Sequence, residues 1–465
     1  MASAASFSGS SVVVHDPDDG SVVGEVSVTY AHDVDRILER GFRAAREAPP
    51  PAHERARVLS QVAAFVAEDG DAYAELIARE GIKTIREARA EVRRAVETLR
   101  LSAEESKRIG GSVIPFDQVP SGEKRIGWWQ RRPAGLVVAL TPYNDPLNLV
   151  AHKLGPAFAA GCPIILKPHP QTPFSALRLV EHFRQSGARG DRVQIVFGGA
   201  EIGEALITDA RPRIVSFTGG REAGNWVARK AGLKQLLLEL GGVGIVAVAR
   251  DANLDLAAEA ISAGAFWAAG QNCVRAQRII VDKAVARDLE KRLVTLARRI
   301  NLGRKLDEAT DMGPLVNHAL ASSLVTKVEE MVQSGARLLA GGRAEGTHMD
   351  PTWLTGLPAG HSLLNQELFG PVGTIETVKD DAALLDQLGA GPDAIHAAIF
   401  TESIAIATTA FQRCNSAALL VNDSTDFRID AMPFGGIGAA GLGREGVSDA
   451  IEALSEKKLM IIAAN

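Results

Sequence analysis

The stretch GLVVALTPYNDPLNLVAHKLGPAFAAGCPIILKP, from Gly135 to Pro168, contains the pattern that determines the fold. Two apolar runs, GLVVAL and PIILKP, flank an Ala-rich amphipathic segment. Each run is continuously apolar rather than alternating, which is typical of strands buried on both faces. Strand, helix and strand in this order predict a parallel sheet covered by helices.

The same alternation continues along the chain. Three more apolar runs belong to this series: Arg192–Gly199, Arg213–Gly220 and Gln235–Gly242. A second series begins at Gly244–Ala249 and continues through QRIIVDK, ARLLAGG, HAAIFT and AALLVN. Residues 34–106 repeat apolar residues three and four apart, which predicts helices. We therefore predict an α/β fold with two parallel-sheet units, whose ligands bind beyond the carboxyl ends of the strands.

Two further segments differ from both series. EKRIGWWQRRPAG (Glu123–Gly135) and the tail EKKLMIIAAN are strand-like and only weakly alternating. We predict that they form a β arm that pairs outside its own domain.

Bulk properties exclude several classes of function. The 465 residues carry a formal net charge of −5 and no dense Lys/Arg tract, which argues against nucleic acid as a partner. Three scattered cysteines are too few for a disulfide framework or a zinc cluster, so no metal site and a reducing cytosolic location are expected. The N-terminus lacks a basic signal region, and no apolar stretch approaches the ~20 residues that span a bilayer. A membrane is therefore not an expected partner.

Cys273 is the first candidate for chemistry. It lies in GAFWAAGQNCVRAQRIIV (Gly264–Val281), between a Gly-Gln-Asn corner and a strand-like run. A cysteine in such a position can be a small buried hydrophobe or a nucleophile. The nucleophile interpretation requires a base and an oxyanion site elsewhere in the chain.

Glu239 and Asn144 could supply those two functions. Glu239 ends the apolar run LLLEL before a glycine pair, where a cleft would raise its pKa towards that of a general base. Asn144 follows a strand at the mouth of the predicted sheet, and a neutral amide can stabilise an oxyanion without titrating. The alternatives are a helix-capping or surface Glu and an Asn at a helix N-cap.

Glycine-containing turns suggest an anion site. FGGAEIG and SFTGGREAG each follow a strand and precede a helix, so their backbone N–H groups could hold a pyrophosphate. Lys167 adds a cation at a strand end of the same sheet. Neither turn matches G-x-G-x-x-G, so each signal is weak on its own.

These motifs, in this order, resemble the NAD(P)-dependent aldehyde dehydrogenase superfamily over nearly the whole chain. The matching segments are HDPDDGSVVGEV, REGIKTIREARAEV, TPYNDPLN, LKPHPQTP, FTGGREAG, LELGG, GQNC, DMGPLVN, QELFGPV and PFGGIGAAGLGREG. The resemblance implies the aldehyde dehydrogenase fold: a Rossmann-like cofactor domain, a second α/β catalytic domain and a small β oligomerisation arm. It implies oxidation of an aldehyde to a carboxylate with NAD or NADP, through a cysteine thiohemiacetal and a thioester.

The resemblance also assigns roles to residues. Cys273 would be the nucleophile, Glu239 the general base, and Asn144 with the Cys273 N–H the oxyanion hole. The implied cofactor residues are Thr141, Pro142, Tyr143, Lys167, Gly199, Gly203, Phe217, Thr218, Gly219, Gly220, Leu240, Glu367 and Phe369. Asp145, His152, Arg275 and Phe434 are the implied substrate residues.

Domain limits and assembly follow from the same resemblance. Residues 1–122 and 136–242 would form the NAD(P)-binding domain and residues 243–428 the catalytic domain. Residues 123–135 and 446–465 would form the oligomerisation arm of a homodimer or homotetramer.

The chain departs from the usual family pattern at several positions. Pro170 replaces a Glu that often binds ribose, which makes NADP tolerable, and Gly220 replaces a Ser. Enzymes for long or benzylic aldehydes usually have an aromatic-rich stretch after the oxyanion Asn, where this chain has Asp145 and His152. The segment NLVAHK instead resembles the branch that includes lactaldehyde, non-phosphorylating glyceraldehyde-3-phosphate and phosphonoacetaldehyde dehydrogenases. That branch often has Arg before the cysteine, where this chain has Asn272.

These features predict a small polar, anionic or hydroxylated aldehyde as substrate. A CoA-acylating semialdehyde dehydrogenase is one alternative, although that branch typically lacks the Glu of ELGG. A catalytically silent binding or structural protein is the other alternative, although such a protein has no reason to retain Cys273, Glu239 and Asn144 together.

Overall fold

The computed structural model describes residues 5–8 and 11–463. Residues 1–4, 9–10 and 464–465, at the ends of the predicted cofactor domain and arm, lie outside the described residues. Three antiparallel strands come first: β1 (Ala5–Ser8), β2 (Ser11–His15) and β3 (Val22–Ser27). The predicted helical region follows as α1 (Ala31–Arg46), α2 (Ala52–Glu68), α3 (Gly70–Glu80) and α4 (Ile85–Ser106), which confirms the prediction from periodicity.

Two strands precede the first large sheet, β4 (Gly111–Ile114) and β5 (Arg125–Pro133). The sheet and its crossover helices follow as β6 (Val137–Leu140), α5 (Asn148–Ala160), β7 (Ile164–Lys167), α6 (Phe174–Gln185), β8 (Val193–Ile195), α7 (Ala200–Thr208), β9 (Ile214–Gly219), α8 (Arg221–Lys230) and β10 (Gln235–Leu240). The strands are parallel in the order β10-β9-β6-β7-β8. The order reverses beside β6, where such sheets bind ligands.

A second α/β unit follows. Its elements are β11 (Gly244–Val248), α9 (Leu254–Phe266), β12 (Ala276–Asp282), α10 (Ala286–Ala297), α11 (His318–Gln333), β13 (Arg337–Ala340), β14 (Ala344–Glu345), β15 (His348–Met349), β16 (Thr352–Thr355), β17 (Val372–Val378), α12 (Asp381–Gly389), β18 (Ala394–Phe400), α13 (Ile404–Arg413) and β19 (Ser416–Val421). Seven strands form a sheet in the order β13-β16-β17-β12-β11-β18-β19. All neighbours are parallel except β13 and β16. The predicted α/β class with two parallel-sheet units is confirmed.

The C-terminal part returns to the first unit as β20 (Gly441–Leu442), α14 (Val447–Ala453) and β21 (Ser455–Ala463). β20 pairs antiparallel with β10, so the residue opposite Glu239 is Gly441. Val447 and Ile451 of α14 pack in the core of the first unit. Residues 446–465 were predicted as part of the arm. Within them, α14 packs against α4 and α5 of the first unit, and only β21 takes part in the arm sheet.

The two predicted arm segments pair with each other. β21 runs antiparallel to β5 from Ser455 opposite Pro133 to Ala463 opposite Arg125, and β4 completes the order β21-β5-β4. Within residues 5–8 and 11–463, no helix is both long and apolar enough to cross a bilayer.

Candidate active site

A cavity of about 650 Å³ lies where the ends of β6, β9 and β10 meet the second unit. Asn144, Glu239 and Cys273 all line it, although they are far apart in the sequence. The carboxyl ends of parallel strands are the expected ligand site of this architecture. The fold therefore brings the three predicted catalytic residues to one cavity.

Cys273 lies on a short connection between α9 and β12. Ala268 and Ala269, just after α9, have left-handed backbones with φ of 50° and 53°. This conformation costs roughly 1–2 kcal/mol for each non-glycine residue, so neighbouring contacts must hold the turn. Gly270 follows with φ 69°, and a Cβ there would lie 2.4 Å from Gly370 O. Backbone strain is thus concentrated directly before the cysteine, as is common at functional sites.

The protonation state of Cys273 is set by its surroundings. Burial raises the pKa of its thiol, and the Glu367 carboxylate raises it further, while Arg428 opposes the shift. The thiol is therefore neutral near pH 7. It must lose its proton to a nearby base before or during attack on a carbonyl.

Glu239 is the candidate for that base. It is the last residue but one of β10, and only 5% of the residue is exposed. Burial raises the pKa of its carboxyl well above the ordinary value, and the Glu445 carboxylate adds to the shift. Glu239 Oε2 has no hydrogen-bond partner among the described residues, so it is available to a proton donor in the cavity. The alternative of a helix-capping or surface Glu is therefore wrong.

A buried ion network supports this shift. Glu445 Oε2 lies 2.9 Å from Lys153 Nζ, and Glu445 Oε1 lies 3.2 Å from Arg428 Nη2. Burial alone would raise the pKa of Glu445, but Lys153 and the neighbouring cations lower it to about 2. Glu445 thus stays negatively charged beside Glu239, which keeps Glu239 in the range of a useful base.

Asn144 lies between β6 and α5. The helix begins at Asn148, and Leu147 occupies its N-cap position, so Asn144 is not the helix cap. Glu91 instead accepts hydrogen bonds from the Leu147 N–H at 2.7 Å and the Asn148 N–H at 3.0 Å. This leaves the Asn144 amide on the cavity wall, where an oxyanion donor is needed.

The predicted cofactor residues divide into two groups. Eight line the cavity: Pro142, Tyr143, Thr218, Gly219, Gly220, Leu240, Glu367 and Phe369. The other five do not line it. Thr141, Lys167 and Phe217 lie at or near strand ends of the first sheet, whereas Gly199 caps α7 and Gly203 lies within it. Their contact with a cofactor stays a prediction.

Unpartnered polar groups fit a nicotinamide dinucleotide. Thr141 Oγ1, Thr218 Oγ1 and Glu367 Oε1 are buried without a partner among the described residues. Burial lowers the pKa of Lys167 to about 8, although Glu201 opposes the shift. A Cβ added at Gly220 would meet no atom within 4 Å, so space is open beside this residue. Hydroxyl and phosphate groups would satisfy these donors and acceptors.

Glu367 and Phe369 form the wall facing this end of the cavity. Burial raises the pKa of Glu367 to about 7, although Arg275 and Arg221 oppose the shift. Phe369 has φ 33°, and its ring meets the Tyr143 ring edge-on at 6.1 Å. The geometry suits an acceptor for ribose hydroxyls and an apolar surface beside a planar ring.

The predicted substrate residues are only partly on the cavity wall. Asp145 and Phe434 line it, but His152 and Arg275 do not. His152 is fully enclosed, with Nε2 2.9 Å from Asp430 Oδ1, so its polarity serves an internal pair. Arg275 donates to Val372 O at 2.6 Å, because β17 lies beside β12. Both side chains therefore make internal bonds, and their contact with a substrate stays a prediction.

Sequence reasoning missed two cavity-lining cations. Arg94 of α4 donates to Asp430, and its side chain is one-third exposed. Arg428 lies 3.7 Å from the centre of the Phe434 ring, and its Nε has no hydrogen-bond partner among the described residues. Arg428 lies only six residues before Phe434, which the family resemblance marks, but no local pattern marks either arginine.

Comparisons with known proteins agree with this geometry. The model of the aldehyde dehydrogenase family matches residues 4–460. Aspartate-semialdehyde dehydrogenase 1 of Pseudomonas canavaninivorans is 43% identical over 456 residues, which cover 97% of this chain and 96% of that protein. The 3-sulfolactaldehyde dehydrogenase of Priestia aryabhattai is 36% identical over 439 residues, covering 94% and 92%. The crystal structure of glyceraldehyde-3-phosphate dehydrogenase from Methanocaldococcus jannaschii in complex with NADP has a TM-score of 0.92 at 31% identity, covering 97% and 99%.

A parallel-sheet fold whose ligand cavity holds a thiol, a carboxyl and an amide is typical of a nicotinamide-dependent oxidoreductase. The chain belongs to the aldehyde dehydrogenase family. It is an NAD(P)-dependent aldehyde dehydrogenase, and the predicted family, fold class and cofactor type are confirmed.

Proposed function

We propose that the enzyme oxidises a small, anionic aldehyde to its carboxylate, with Cys273, Glu239 and Asn144 in the catalytic roles. The observation that carries this proposal is that these three residues line one cavity, in which the pKa of Glu239 is raised well above its ordinary value. A carboxyl whose pKa is raised by burial is a stronger base than an ordinary carboxylate, so it can accept a proton from a thiol or a water and later release it.

The chemistry proceeds in two halves. Cys273 Sγ attacks the aldehyde carbon while its proton passes to Glu239, and the resulting oxyanion is held by the Asn144 amide and the Cys273 N–H. When bound, NAD(P)+ supplies the acceptor for the hydride that leaves this adduct, so that Cys273 carries a thioester. Glu239 releases the thiol proton to solvent and then takes a proton from a water that attacks the thioester carbon. The C–S bond breaks, the sulfur takes this proton from Glu239, and the acid leaves as a carboxylate after losing its remaining proton to solvent.

Two cations support an anionic substrate. Arg94 and Arg428 line the cavity, and each retains N–H groups that no described residue accepts. The relatives named for aspartate semialdehyde and 3-sulfolactaldehyde act, by name, on aldehydes that carry an acidic group. We infer that Arg94 and Arg428 hold a carboxylate or sulfonate of the substrate.

We propose that residues 1–122 and 136–242 form the cofactor-binding domain. Residues 243–428 form the catalytic domain, and the β arm serves in oligomerisation. The arm sheet exposes apolar side chains of β21, which supports a homo-oligomer. We propose a cytoplasmic location, because three unpaired cysteines suit a reducing compartment.

The test is a panel of short aldehydes with and without an acidic group, each assayed with NAD and with NADP in the absence of CoA. We expect reduced cofactor to accumulate, with the highest kcat/KM for the anionic members. Glu239→Gln should release at most one equivalent of reduced cofactor and then stop, because thioester hydrolysis has lost its base. That single turnover should be slower than the first turnover of the wild-type enzyme, because the Cys273 thiol has lost its proton acceptor. Cys273→Ala is the control without a burst. Strict dependence on CoA, steady turnover by Glu239→Gln, or cofactor binding without turnover would each contradict the proposal.

A further inference from the structure

Two buried glutamines flank the nucleophile. Gln271 lies two residues before Cys273, and Gln277 lies four residues after it. Both are almost completely buried, and neither lines the cavity. Neither can therefore contact the substrate directly, so any role in catalysis must act through the segments that they hold.

Gln271 uses its entire amide. Its Oε1 accepts hydrogen bonds from the Tyr143 hydroxyl at 3.2 Å and from the Val316 N–H at 3.0 Å. Its Nε2 donates to Ala268 O and to Pro314 O, both at 3.2 Å. A primary amide offers two acceptor and two donor positions, and all four are occupied.

Two of these partners belong to the two halves of the predicted oxyanion site, and the other two, Pro314 and Val316, lie in the connection before α11. Tyr143 directly precedes Asn144, and Ala268 begins the left-handed turn that leads to Cys273. The Ala268 N–H donates to Glu87 Oε1 at 2.8 Å, so the turn is also held from α4. Gln271 is thus a direct hydrogen-bonded link between the segment of the amide donor and the segment of the nucleophile.

We propose that Gln271 is a positioning residue that fixes the Asn144 amide relative to Cys273 before the aldehyde arrives. This inference rests on the proposed roles of Asn144 and Cys273. The donors of an oxyanion site must be in place when charge develops, because moving them during the reaction costs free energy. A displacement of about 1 Å reduces rates by roughly 10²-fold, so a buried amide outside the cavity can govern turnover.

Gln277 provides a matched control on the same segment. Its Nε2 donates to Gln366 O at 2.7 Å, and its Oε1 accepts from the Leu368 N–H at 2.9 Å. It therefore clamps both neighbours of Glu367, on the cofactor side of the cavity. The two glutamines have the same chemistry and similar burial, but they hold different walls.

The test compares Gln271→Met with Gln277→Met, which preserve side-chain length and remove the amides. For Gln271→Met we expect kcat to fall about 10–100-fold with the KM for NAD(P)+ changed less than about threefold. For Gln277→Met we expect mainly a rise in the KM for NAD(P)+. Alkylation of Cys273 by iodoacetamide needs no oxyanion site. The rate of alkylation in Gln271→Met should therefore stay within about threefold of the wild-type rate.

A second variant keeps the inference testable if Gln271→Met folds poorly. Tyr143→Phe removes only the hydroxyl that donates to Gln271 and leaves the ring against Phe369. We expect Tyr143→Phe to lose less kcat than Gln271→Met. The double variant should lose no more kcat than Gln271→Met alone, because both changes remove the same hydrogen bond between Tyr143 and Gln271. Additive losses would overturn the inference, as would wild-type kcat in Gln271→Met or equal losses of alkylation and turnover.

Failure of the proposed function gives a different pattern. In that case the wild-type enzyme oxidises no aldehyde, or Cys273→Ala still does. Normal turnover of Gln271→Met in an otherwise active enzyme overturns only the positioning role.

Discussion

At the scale of single residues, burial rather than direct contact sets the reactivity of the site. Both Cys273 and Glu239 have raised pKa values, mainly because the cavity removes them from water. A neutral thiol that shares a cavity with a carboxyl of raised pKa can pass its proton to that carboxyl, directly or through water. The protein therefore avoids a permanent thiolate, which would be open to oxidation.

This arrangement predicts a dependence on pH. The base form of Glu239 is lost as pH falls through its raised pKa, so kcat should decline on the acidic side from a point well above the ordinary carboxyl range. Glu445→Gln removes a negative charge beside Glu239 and should lower its pKa, which shifts the acidic limb to lower pH. The measurement is the pH profile of kcat, read as the pH at which kcat falls to half on the acidic side. This midpoint does not depend on how much of the enzyme is folded. An unmoved or upward-shifted limb would contradict the electrostatic account.

The residues that sequence reasoning placed correctly on the cavity wall share one property. Asn144 lies in the loop after β6, and Glu239 is the last residue but one of β10. The carboxyl ends of parallel strands converge in this fold. His152 and Arg275 lie close in sequence to Asn144 and Cys273. Their side chains nevertheless bond to Asp430 and to the Val372 carbonyl, and no local sequence pattern reveals these bonds. Arg94 was missed for the same reason, because it lies on a helix outside both sheets.

At the scale of elements, α4 supports the site through buried carboxylates. Glu87 completes a capping box with Thr84 and also accepts from the Ala268 N–H. Glu91 receives two N–H groups at the start of α5 and lies 2.8 Å from Lys83 Nζ. Periodicity predicted the helix but not these contacts, since Glu on an amphipathic helix ordinarily indicates a solvated face.

The support from α4 is testable by a single isosteric change. Glu91→Gln leaves Asp145 as the remaining carboxylate within salt-bridge distance of the buried Lys83 ammonium among the described residues, so we expect stability to fall by about 1–3 kcal/mol. The midpoint of thermal unfolding should drop by several degrees. Glu97→Gln, on the exposed side of the same helix, is the control and should leave the midpoint unchanged. Equal midpoints for the two variants would contradict this role of Glu91.

At the scale of the whole molecule, the two large sheets followed from apolar runs, whereas the return of the chain to the first sheet did not. β20 has only two residues, too few for a pattern, and it is fixed by pairing with β10. The arm was predicted because apolar and polar residues alternate only weakly in its two segments. The exposure of β21 is consistent with this weak alternation. Leu459 to Ile462 are each about half exposed. Because successive side chains of a strand point to opposite faces, neither face of β21 is covered at these positions by the described residues.

An apolar edge strand of this length invites pairing with another chain. We therefore expect the wild-type enzyme to be a homodimer or homotetramer held in part by β21, and Ile461→Asp to shift it to smaller species, because a charge would be buried in the interface. Light scattering coupled to size exclusion measures the mass directly. Ile404→Asp, which changes an apolar and still more exposed side chain on α13, is the control and should keep the wild-type mass. If Ile404→Asp dissociates the enzyme while Ile461→Asp does not, the interface lies on α13 and not on the arm.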